Sequence, residues 1–259
     1  MSRTSILKTA ILCLILPLNV GSAQGWYVAP RIGYRLGAGT QSFGESSTTS
    51  GSTTSYEGVY GSLGEGFGFG ASIGYMGGPN LGAELGLAYW LGNTFEMTSS
   101  YLGQTQSAKV SGTGFMATPS IVLAVDLNSV KPYARFGLVF GIMKVTQEMS
   151  SAFGSQSSDR TVEETGGIGF GYSGAFGFVV PLGSSVGFFA EAALFSVTYS
   201  PGQAELTKYT VNGADQLASV TTKVYEYKDS YSSSDQHSAL ALRIPFSSIG
   251  INAGIRINL

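Results

Sequence analysis

The one histidine of the chain, His237, is followed directly by Ser238. A serine beside an imidazole with a carboxylate behind it is the arrangement that turns a hydroxyl into a nucleophile. Here no acid is assigned to the pair, and it sits in a stretch rich in Ser and Tyr, so the expectation is a loop histidine and no catalytic residue. Metal chemistry has as little to work with. The acidic pairs Glu163 with Glu164 and Asp229 with Asp235 lack the several clustered ligands that zinc or calcium draws on, and they read as solvated loop charges. No metal site and no cofactor is expected. The glycines of residues 64–70 resemble a phosphate loop only in composition, because no helix follows them.

The remaining chemistry is electrostatic. Arg31, Glu84, Arg135, Glu191 and Arg256 each stand in a segment where apolar and small or polar residues alternate, and each occupies the side opposite the apolar one. Counted from one end of their segments they fall at about the same height. Such residues can form a buried ionic network, with acids answering arginines, because an isolated charge in an interior is costly and pairing is the usual remedy.

The elements that would position them are strands. Period-two alternation marks a strand with two unlike faces, and it recurs over residues 26–35, 66–76, 81–91, 115–126, 133–142, 168–180, 186–194 and 249–259. These lengths suit a tilted strand crossing a bilayer, which needs ~9 to 11 residues. In 66–76, Phe67, Phe69, Ala71, Ile73 and Tyr75 face one way and four glycines and Ser72 the other, with Gly66 at the start of the strand. None of the apolar-register residues is charged, whereas Arg35 and Asp126 join the five residues above in the opposite register. A charge facing lipid at the midplane costs ~2 to 4 kcal/mol for Arg or Lys, so this sorting is what a lipid-facing wall imposes. Pro30 and Pro119 fall inside strands, where proline removes a ladder hydrogen bond, and a bulge is expected at each.

Short turns at 77–80, 127–132 and 182–185 alternate with Ser/Thr/Gly-rich stretches at about 36–65, 92–112, 145–166 and 200–246. That asymmetry fits short periplasmic turns and long external loops. The expectation is therefore an all-β fold: an eight-stranded antiparallel transmembrane up-and-down β-barrel with long extracellular loops, both chain ends lying on the periplasmic side. Eight strands leave an interior only wide enough for side chains to fill. In or beside the longest loop, Tyr209, Tyr225, Tyr227 and Tyr231 are candidates for contacts with a partner.

At the start, Arg3 and Lys8 precede the apolar run 10–18, and Gly21, Ser22 and Ala23 follow. This is the order of a secretory signal peptide, expected over residues 1–23 with cleavage after Ala23, leaving residues 24–259 as a single barrel domain. The run is too short for a spanning helix. Cys13 lies inside it, so the mature chain is expected to hold no cysteine and no disulfide. Charged residues make up only 12% of the chain and Gly 37 of its 259 residues, unlike an ordinary soluble core. With the leader gone, 12 basic residues face 16 acidic ones, which gives no reason to expect nucleic acid as a partner.

In strand number and order, in the segment Lys131-Pro132-Tyr133-Ala134-Arg135-Phe136-Gly137 and in the last strand, 249–259, the chain resembles the small outer-membrane β-barrel family of OmpA-like and OmpX-like proteins. The resemblance covers nearly all of 25–259. It implies residence in the bacterial outer membrane, contact with its lipids and lipopolysaccharide, and insertion by the barrel assembly machinery. The aromatic residue with which members commonly end is here Leu259. Barrel enzymes that trim lipid A use a histidine, a serine and an acid, with the first two separated by one residue; His237 and Ser238 are adjacent instead. The functions to weigh are therefore a non-enzymatic structural or adhesin-like surface barrel whose loops meet a host, cell or phage ligand, then a small porin-like channel, then a lipid-A-modifying enzyme.

Overall fold

A computed structural model describes residues 25–39, 42–50, 53–101, 104–127, 129–232, 235 and 237–259; the leader expected at 1–23 lies outside the described residues. The chain forms β1 (Gly25–Gly37), β2 (Ser42–Ser50), β3 (Thr53–Tyr60), β4 (Gly66–Met76), β5 (Leu81–Gly92), β6 (Phe95–Tyr101), β7 (Gln104–Ala124) and β8 (Lys131–Phe153). There follow β9 (Gln156–Thr165), β10 (Ile168–Pro181), β11 (Val186–Ser200), β12 (Gln203–Val211), β13 (Ala214–Asp215), β14 (Val224–Lys228), β15 (Ser238–Leu240), β16 (Ile244–Pro245) and β17 (Ser248–Asn258). Among the described residues the only helical element is a single 3-10 turn, Leu217–Ser219.

All these strands belong to one sheet. Antiparallel pairings run from β1 to β4, β5, β7, β8, β10, β11 and β17, and β17 pairs with β1 again, Ile32 standing opposite Ala253. The circuit takes in the eight alternating segments of the sequence, with bounds moved by a residue or two at most ends. At the far ends of β7, β8 and β11 it departs from them by more. There the stretches expected to be irregular loops are largely strand. At ~3.3 Å per residue, the 21 residues of β7 and the 23 of β8 each extend over roughly 70 Å, more than twice the ~30 Å of a bilayer's hydrocarbon core. β9 continues from β8 as a hairpin, β12 pairs with β9, and β6 pairs with the far half of β7. These additions hold together by backbone pairing between Ser- and Thr-rich segments whose two faces are both polar, so they carry no amphipathic period that would announce them.

The outward side of the circuit is apolar over one band only. On β8 Phe136, Leu138, Phe140 and Ile142 are exposed, and Lys131 and Lys144 flank them, paired with Asp126 at 2.8 Å and Glu163 at 2.7 Å. Aromatic side chains lean on one another across neighbouring strands of this band, Phe69 on Tyr89 and Tyr89 on Phe115 at 5.6 and 4.6 Å between ring centres. No register shift marks Pro30 or Pro119. The pairings continue in step on either side of them, lapsing only at Ala29–Pro30 toward β17 and at Thr118–Pro119 toward β8. The expected bulges are absent because each proline's missing donor affects one neighbour only; toward β4 and β5 the ladder is continuous.

Inside lie two apolar clusters. One gathers Tyr27, Ala29, Met76, Val122, Val179 and Phe189 near the short turns. The other, toward the long hairpins, includes Leu63, Trp90, Met116, Val139, Phe195 and Phe246. Charged residues separate them.

Candidate functional site

The charged layer draws one residue from each of four strands. Arg31 on β1 donates to Glu84 Oε1 at 2.7 Å and to Glu191 Oε1 at 3.3 Å. Arg135 on β8 donates to the same two atoms, to Glu191 at 2.6 Å and to Glu84 at short range. The four groups thus alternate in sign around a closed loop, two guanidiniums against two carboxylates. The side chains of Arg135 and Glu191 are only 6% and 1% exposed, so water does little of their solvation.

The free carboxylate oxygens are also satisfied. Tyr27 donates its hydroxyl to Glu84 Oε2 and Tyr133 its hydroxyl to Glu191 Oε2, both at 2.8 Å. Asn252 Nδ2 donates to Glu191 Oε1 at 2.9 Å, and Ser72 Oγ accepts from Arg31 at 2.5 Å. Inward glycine gives these long side chains their room: a Cβ at Gly74 would collide with the Tyr27 ring. This matters because a buried ion pair stabilises little unless its remaining donors and acceptors are met; in this layer Arg31 Nε is left without a partner among the described residues.

Arg256 stands apart from this layer. Glu191 is opposite Asn252 in the β11–β17 register, while Arg256 is opposite Gly187, four residues and so ~13 Å along the strand. Its guanidinium lies 3.7 Å from the centre of the Tyr27 ring, and its Nε donates to Asn258 Oδ1 at 3.2 Å. Counting positions from strand ends puts Arg256 in the layer; the stagger of neighbouring strands takes it out. Asn252, Tyr27, Tyr133 and Ser72 are the partners that charge sorting misses, although all four alternate with outward-facing residues on their strands.

One layer further along, Arg35 is buried without an acid among the described residues. It is held between the rings of Trp90 and Phe195, 4.5 and 3.6 Å from their centres. Beyond it Phe246 and Leu63 are wholly buried; Phe246 donates its N–H to Val197 O at 2.8 Å. The end of the 200–246 stretch is therefore part of the interior, a correction to its reading as an external loop throughout.

The four candidate tyrosines divide. Tyr231 is 45% exposed and Tyr225 38%. Tyr227 turns in and donates to Glu164 Oε1 at 3.3 Å, alongside Gln147 Nε2 at 2.6 Å. Glu164 is 2% exposed and no solvated loop charge: burial pushes its carboxyl up from the ordinary value, and its burial with Glu164 pushes the Tyr227 hydroxyl up to about 12. Tyr209 faces Arg160 across β12 and β9.

The histidine–serine pair takes an arrangement of its own. The Ser238 hydroxyl donates to Asp235 Oδ2 at 2.7 Å and the His237 backbone N–H to Asp235 Oδ1 at 3.1 Å. These bonds hold the Asp235 carboxyl below its ordinary value, the Ser238 bond most of all. The serine is bonded to the acid and not to the imidazole, so the relay in which a histidine takes the serine proton is not assembled.

Against known families, the model of the outer membrane protein beta-barrel domain matches residues 10–212. No curated protein matches. Among solved structures, the chain is similar to the crystal structure of Acinetobacter baumannii CarO2, with 12% sequence identity, a TM-score of 0.29, and coverage of 89% of this chain and 99% of that one.

Proposed function

The chain belongs to the outer membrane protein beta-barrel family, and on that premise we propose that it is an eight-stranded transmembrane barrel with a surface structural or adhesin-like role, non-enzymatic, working through its extended external hairpins. Residues 1–23 are its cleaved leader. Its lipid face meets the outer membrane's hydrocarbon and lipopolysaccharide, and its hairpins meet a host, cell or phage ligand.

The observation that carries this reading is the filled interior. The Arg31–Glu84–Arg135–Glu191 layer lies between two apolar clusters. The cavity beside it measures ≈ 20 Å³, room for about one water. Such an interior gives a small solute no path, which argues against the porin-like alternative. The Ser238–Asp235 bond argues against the lipid-A-modifying one.

The test removes residues 203–240 and keeps 241–246, whose Ile244 and Phe246 fill the interior. A barrel that still shows heat-modifiable gel mobility while its host cells lose surface adhesion supports the reading. Loss of folding on this deletion contradicts it.

A further inference from the structure

We infer that the open end of the sheet, above the two apolar clusters and the ionic layer, is a binding pocket for an acidic sugar. This rests on the reading of the extended strands as external to the membrane. Where they rise past the apolar band, their inward faces line an open cavity of ≈ 440 Å³, within the range of small-molecule sites.

Its walls follow from register, because residues directly opposite in adjacent strands share a face. One row runs Met97, Ala108, Met149, Arg160, Tyr209 across β6, β7, β8, β9 and β12. The next row out runs Ser99, Gln106, Ser151, Ser158. The first offers a ring, two thioethers and one cation. The second offers three hydroxyls and an amide.

Tyr209 is inside only because β12 carries an irregularity. Ala204 pairs with the buried Glu164 and Leu206 with Val162, so in a regular strand the odd residues would face out. The register shifts between Leu206 and Lys208, and Tyr209 comes to stand opposite Arg160. Bulges re-aim side chains in this way, and they concentrate at barrel rims and near sites.

Arg160 is the one charged residue lining the cavity. Its Nε and Nη2 point at Met149 Sδ, 3.1 and 2.9 Å away, and a thioether is a weak acceptor. Among the described residues no carboxylate pairs with it. A ligand that meets all three features carries an anionic group for the guanidinium, hydroxyls for the Ser/Gln row, and an apolar face for the Tyr209 ring. A sugar bearing a carboxylate has all of them.

The full chain, folded in detergent, is titrated with galacturonate and with galactose, which differ at the carboxylate, by saturation-transfer NMR. Galacturonate is expected to bind at least tenfold more tightly than galactose, and R160Q to bring it down to galactose's level, with heat-modifiable mobility unchanged. No binding of galacturonate, equal binding of the two sugars, or galacturonate binding unaltered in R160Q overturns the proposal. S155C, at the tip between β8 and β9, keeps the two readings separate. Its labelling on intact cells by an impermeant maleimide with no sugar binding defeats the pocket alone, while no labelling defeats the external placement on which the pocket rests.

Discussion

Arg31 and Arg135, 104 positions apart in the chain, donate to the same carboxylate oxygen of Glu191, at 3.3 and 2.6 Å. Both also reach Glu84 Oε1. The layer is held from four strands at once, and losing any one member leaves buried charge of one sign in excess.

R135A is expected to destabilise the fold by about 3 to 5 kcal/mol, the cost of removing one partner from a buried pair. R256A removes an exposed hydrogen bond to Asn258 and a stacking contact on Tyr27, the latter worth about 0.5 to 2 kcal/mol. The midpoint of heat modification on cold-loaded gels ranks the two. Equal midpoints for R135A and the unaltered chain would remove the network from the account of stability.

Closure of the circuit is tested by I32C/A253C, whose positions are directly opposed across β1 and β17. Under mild oxidant the pair is expected to cross-link in the folded protein and to fail to do so after boiling. A folded protein that resists cross-linking at this pair and at neighbouring opposed pairs would mean that β1 and β17 are not adjacent.

Glu164 predicts the direction of a pH effect in the extended hairpins. Its carboxyl is raised by burial, and a group raised in the fold contributes stability that is complete at pH below the ordinary carboxylate value and is lost as the pH climbs through the raised one. The packing that buries Glu164 is therefore expected to loosen as pH rises from the acid range, burial outweighing the hydrogen bonds from Tyr227 and Gln147, which favour the ionised form. Hydrogen exchange at the backbone of β14, followed against pH, should speed up on the alkaline side, and E164Q should abolish the change. Exchange that slows with rising pH beyond the intrinsic rate would reverse the sign and refute the assignment.

The transmembrane half of this fold is legible in the sequence because lipid demands alternation. Phe67, Phe69, Ile73 and their glycine partners declare β4 to within a residue, and charge sorting places Arg31, Glu84, Arg135 and Glu191 on the inner side. Three things escape that kind of reading. Hydroxyl-rich strands such as β9 show no contrast between faces, so 156–165 reads as loop. Register across strands is a property of pairing and not of any one segment, which is why Arg256 is counted into a layer from which it lies four residues away. The bulge that turns Tyr209 inward and the return of Phe246 to the interior both depend on partners distant in the chain, and local residue types do not announce them.

The proposed barrel displays its hairpins and does not conduct, its interior being filled by the ionic layer and the clusters on either side. Single-channel recording of the refolded full chain in planar bilayers tests this most directly. The unaltered protein is expected to be silent; steady openings of one size would contradict a filled, non-conducting interior.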